Sequence, residues 1–102
     1  MILITGHVIL TPGHRERMIA LGAEHSARSR EEPGCLAHHC HVDVENELRL
    51  VFVEEWESVD AVRAHFALPA ARAFVADMRA LSPEPPAIRI HAAEDVTAKL
   101  MG

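Results

Sequence analysis

Tyrosine is absent from this 102-residue chain, which carries three phenylalanines and one tryptophan. That leaves too few rings for a platform that grips single-stranded nucleic acid by stacking. Positive charge is also short, with ten Lys and Arg against fifteen Asp and Glu and a formal net charge of −5. Phosphate-backbone binders show basic patches, so no nucleic-acid partner is expected. No apolar run approaches the ~20 residues needed to span a bilayer, so no membrane partner is expected either. The opening MILITGHVIL has neither a basic leader nor a small-residue cleavage site, which argues against a signal peptide. Cysteine is scarce, at two residues. With no export signal, reduced thiols and a cytoplasmic location are the expectation. A Gly-rich phosphate loop, a GxSxG elbow and any haem or flavin motif are missing. The apolar and charged fractions are those of an ordinary globular chain, and the length suits one domain over residues 1–102.

The apolar pattern then orders the elements. Met1–Leu10 is short, apolar and β-branched, which predicts a buried strand. From His14 to about Glu31 the period becomes helical, with Met18, Leu21 and His25 on one stripe, and Pro33-Gly34 ends it. Cys35–Val44 predicts a second strand, joined through Glu45-Asn46-Glu47 to a third that starts at Leu48. Residues two apart on a strand share a face, so Leu48, Leu50, Phe52, Glu54 and Trp56 point one way and Arg49, Val51, Val53 and Glu55 the other. Ser58 is a good N-cap for a helix through Val59, Val62 and Phe66, broken or kinked at Pro69 and resuming through Phe74, Met78 and Leu81. Ala87 to about Val96 closes the sheet, and Thr97–Gly102 reads as a short, fraying tail. The order β-α-β-β-α-β predicts an α+β, ferredoxin-like fold, an antiparallel sheet with its helices on one face. Neither face of the third strand is polar throughout, so a second copy is expected to cover the other side as a homodimer.

Three groups could carry chemistry. His65 falls on or beside the buried stripe of its helix, and an imidazole can pass a proton in the neutral range. Glu54 or Glu55 could orient it; alternatively His65 is a structural histidine bonded to backbone. Trp56 is either a flat wall for an aromatic ligand or core. His38-His39-Cys40-His41 invites a metal, but alternation puts only two ligands on each face and zinc wants three or four, so no metal site is expected. Cys35 and Cys40 should face opposite sides, which argues against a disulfide between them.

Glu32-Pro33-Gly34-Cys35-Leu36, followed by Phe52–Phe66 (FVEEWESVDAVRAHF), Pro69 and Phe74, resembles the antibiotic biosynthesis monooxygenase family, over roughly residues 2–96. The resemblance implies a dimeric α+β barrel with a cavity in each subunit. It further implies a cofactor-free monooxygenase that uses O2 on a quinol or polycyclic aromatic phenol. Carried over by position, His65 and Glu54 become the catalytic pair. Trp56, with Phe52, Phe66 and Phe74, becomes the substrate wall. One departure is Ala70, which stands where the family pattern has a second histidine. The same fold hosts other chemistries, so a small-metabolite isomerase or lyase and a non-catalytic dimeric binding protein are the alternatives.

Overall fold

The computed structural model describes all of residues 1–102. Its elements are β1 (Ile2–Ile9), α1 (Arg15–Arg30), β2 (Cys35–Asp43), β3 (Asn46–Trp56), α2 (Val59–Ala67), α3 (Pro69–Leu81), β4 (Ala87–Ala92) and α4 (Thr97–Met101). The four strands form one antiparallel sheet in the order β2-β3-β1-β4. This is the expected ferredoxin-like α+β fold. Alternation drives it: Ile2, Ile4 and Val8 of β1 and Leu50, Phe52, Glu54 and Trp56 of β3 are buried on the helix side. Leu3, Thr5, Val51 and Val53 point to the opposite face, which no helix of this chain covers.

The helix side holds two apolar clusters. Val8, Leu10, Met18, Leu50, Phe52 and Phe74 make one, and Ile2, Ile4, Trp56 and Val62 the other. Six buried polar side chains also lie on this side: His25, Ser26, Ser29, His38, Glu54 and His65. The interior is therefore not uniformly oily, and the polar groups hold the chemistry.

Several boundaries differ from the sequence expectation. β3 starts at Asn46, because Asp43 pairs directly with Asn46 and leaves a two-residue turn. At Pro69 the expected break, not a kink, is what forms: Leu68, ahead of it, is extended (φ −67°, ψ 136°), as a residue before proline prefers. β4 stops at Ala92, and the tail forms the short helix α4 instead of fraying, with Asp95 Oδ1 accepting from Thr97 N and Oγ1. Cys35 and Cys40 pack against the two clusters on the same side of the sheet, because a register shift between Cys35 and Ala37 resets the alternation. Both remain free thiols.

Candidate functional site

The site begins at the turn after α1. Gly34 is left-handed (φ 82°), and a Cβ there would lie 2.6 Å from Ala61 Cβ on α2. Glycine thus lets the Glu32–Cys35 turn lie against α2, where Gly34 O also accepts from Glu57 N at 2.8 Å. That closeness brings Glu32 to the next turn of α2, where its Oε1 meets His65 Nδ1 at 2.8 Å. Ser58 caps α2 by accepting from Ala61 N at 3.1 Å, which sets the helix phase that turns His65 inward. The ring is only 3% exposed.

Two more imidazoles meet it. His25 projects from α1 and stacks on Phe74, with ring centres 4.1 Å apart and 11° between planes. His38 projects from β2, fully buried, with Ser26 Oγ 2.9 Å from its Nδ1. Ring centres are 5.1 Å apart for His25 and His38, 5.3 Å for His25 and His65, and 5.7 Å for His38 and His65. Glu54 Oε1 accepts from Trp56 Nε1 at 2.9 Å and lies 3.3 Å from His38 Nε2. The second approach falls outside hydrogen-bond geometry, so His38 Nε2 is buried beside the carboxylate without a hydrogen-bond partner.

Electrostatics sort the roles. Burial first, then the neighbouring imidazoles of His38 and His65, lower the His25 pKa from 6.5 to about 3, with Arg28 adding to the shift and Glu54 opposing it. His25 is therefore neutral at physiological pH. Burial pushes Glu54 up, but contact with His38, the Trp56 hydrogen bond and the charge of His65 outweigh it, so the carboxyl sits below its ordinary value and is ionised. Burial raises both cysteine thiols, so neither is an activated nucleophile.

A cavity of about 170 Å³ opens beside this cluster. His25, Glu54, His65, Phe52 and Phe74 form its inner walls, while Phe66, Val75, Arg79 and Ile88 stand at its exposed rim. Of the six residues selected from sequence, five line it: His65, Glu54, Phe52, Phe66 and Phe74. Trp56 does not. It is fully buried behind Glu54 and His65, 4.6 Å from the latter ring, and belongs to the core with Ile2, Ile4 and Val62. The carboxylate bonded to His65 is Glu32, not Glu54 or Glu55, because the turn after α1 lies nearer to that face of α2 than β3 does. Ala70 is exposed, and it is Ala71 that faces the cavity. His25, Glu32 and His38 were missed as site residues. The signals are present in the sequence: strand alternation puts His38 on the face opposite His39, and the helical stripe puts His25 inward.

The sequence model described as antibiotic biosynthesis monooxygenase matches residues 1–77. The uncharacterised protein sll1783 of Synechocystis is 30% identical over 90 residues, 88% of this chain, and the chain spans 61% of that relative's length. The fold is shared with a candidate antibiotic biosynthesis monooxygenase of Deinococcus radiodurans, at TM-score 0.89 and 21% identity over 93% of this chain and 94% of that one. It is likewise shared with Rv0793 of Mycobacterium tuberculosis, at TM-score 0.85 and 22% identity over 92% and 95%. No helix of this chain is long and apolar enough to cross a membrane.

Proposed function

This chain belongs to the antibiotic biosynthesis monooxygenase family, and from that premise we propose that it oxygenates a small quinol with O2, using His65 as the proton-transfer group. The observation that carries the reading is a mostly apolar cavity with one carboxylate-backed imidazole in its wall. His65 Nδ1 is committed to Glu32, which leaves Nε2 as the nitrogen available to take a phenolic proton. Glu32 stabilises the imidazolium that forms, as a buried carboxylate does behind a histidine base. The resulting quinolate is electron-rich enough to reduce O2 itself. One oxygen atom bonds to ring carbon as a peroxide, the O–O bond breaks, and the second oxygen leaves as water. Quinol plus O2 thus gives hydroxyquinone plus water, the quinol supplying the electrons. A dry wall keeps the peroxide from being intercepted by solvent.

Size favours the quinol over the polycyclic phenol. An apolar cavity of about 150 Å³ takes up benzene, and this one is about 170 Å³. One ring, or two fused rings reaching the rim, fits the space. A second copy covering the open sheet face, where Leu3, Val51 and Val53 lie, completes the reading. Light scattering should then return a mass twice that of the chain.

The test is oxygen uptake against a panel of benzoquinols and naphthoquinols. His65→Ala should lower kcat by roughly 10²–10⁴, and Glu32→Gln should lower it by a smaller factor with KM little changed. Undiminished uptake by the His65 variant, or turnover that continues without oxygen, would refute the assignment; the second result favours an isomerase or lyase.

A further inference from the structure

We propose that His25, His38 and His65 together bind one divalent first-row transition-metal ion. Three elements, α1, β2 and α2, each deliver one buried imidazole to the same point, and one nitrogen from each lies within 4.8 Å of those of the other two. Three imidazoles on one tetrahedral ion at ~2.05 Å place their ring centres about 5.2 Å apart. The separations in this structure are 5.1, 5.3 and 5.7 Å. The rings are thus already at the spacing an ion needs. The nitrogens, within 4.8 Å of one another, must still close to the tetrahedral edge of about 3.4 Å.

Two of the ring nitrogens are already held as the outer nitrogens of a metal site need to be. Glu32 takes Nδ1 of His65 and Ser26 takes Nδ1 of His38. A carboxylate or hydroxyl on the outer nitrogen fixes ring orientation and makes the inner nitrogen the ligand. His38 Nε2 is a fully buried nitrogen with no hydrogen-bond partner, which is itself a reason to expect an ion or water there. The Glu54 carboxylate, 3.3 Å from that nitrogen, supplies negative charge beside a divalent ion. All-imidazole donors suit zinc, copper, nickel and iron rather than magnesium or calcium. Three protein ligands would leave a fourth position open, and the cavity that His25 and His65 line lies beside the cluster.

This inference does not rest on the oxygenase reading. The two meet at His65, because a nitrogen that holds an ion cannot accept a proton; loaded protein should therefore lose quinol turnover. The exposed His39 and His41, 6.4 Å apart on the other sheet face, are the competing site. Chelator-treated full-length protein is dialysed against Zn²⁺ or Co²⁺ and the metal per chain counted. One ion per chain is expected, with Co²⁺ giving the strong visible absorption of a four-coordinate centre. In ¹⁵N-labelled wild-type protein, Zn²⁺ should move the ring nitrogens of His25, His38 and His65 and leave those of His39 and His41 in place. His38→Gln should weaken binding by more than about 100-fold and Ser26→Ala by about 10–100-fold, with circular dichroism reporting the fold. No retained ion, or an ion that moves the His39 and His41 nitrogens instead, overturns the proposal; the wild-type spectra decide it even if a variant fails to fold.

Discussion

Acid should unfold this protein largely through His25, and the size of the effect can be worked out. Its pKa is about 3 in the folded chain against 6.5 when exposed. Between those values the unfolded chain holds one more proton than the folded one, so stability rises with pH across the window. The contribution is complete above about pH 6.5 and is lost as pH falls toward 3. From pH 6.5 to 4.5 it amounts to about 2–3 kcal/mol, and over the full shift to about 5 kcal/mol. A domain of this size has ~5–15 kcal/mol in total, so one side chain governs much of its acid tolerance. His25→Phe keeps a flat ring against Phe74 but cannot take the proton. In urea melts at a series of pH values, with chelator present, its stability should fall less steeply, by up to about 1.4 kcal/mol per pH unit between 6 and 4. His38, His65, Glu54 and Arg28, which face the ring, are common to both proteins, so the difference isolates His25. Equal slopes, or an NMR titration of His25 with a midpoint near 6.5, would refute the reasoning.

Gly34→Ala should cost about 1–2 kcal/mol for its left-handed backbone and more for the 2.6 Å approach to Ala61 Cβ. In the double variant with Ala61→Gly, urea melts should recover the clash but not the backbone part. Trp56→Phe removes the donor to Glu54 Oε1 and should cost about 1.5–3 kcal/mol from that bond alone, since the acceptor is charged. Because the indole lines no part of the cavity, KM should stay within about twofold, and a tenfold rise would place it in the substrate wall.

The order of elements was legible because each relied on a local signal. Ile2, Ile4 and Val8 alternate, Ser58 caps, Pro33-Gly34 stops a helix, and Leu50, Phe52, Glu54 and Trp56 share a face. Phe52, Phe66 and Phe74 were placed through the family resemblance, and parity and helical period agree with that placement. What lay beyond sequence was convergence. Glu32 reaches His65 only because Gly34 tolerates Ala61 at close range, a contact between residues far apart along the chain. Trp56 enters the substrate wall only through the resemblance, and parity, which gives the face of a residue but not its depth, leaves wall and core both open. The bulge at Cys35–Ala37 shows the complementary failure, where one extra residue resets the alternation and brings Cys35 to the same side of the sheet as Cys40.

The polar residues set among the two apolar clusters tie this protein's durability to its chemistry. Filling the positions of His25, His38, Glu54 and His65 with well-matched aliphatics would remove groups that are costly to desolvate, and buried charged sets often gain stability when replaced that way. Such a chain would tolerate acid and heat better while having nothing left with which to move a proton or hold an ion. Robustness and reactivity therefore compete for the same few cubic ångströms, and a search for thermostable variants that ignores activity would be drawn first to the residues that make the site.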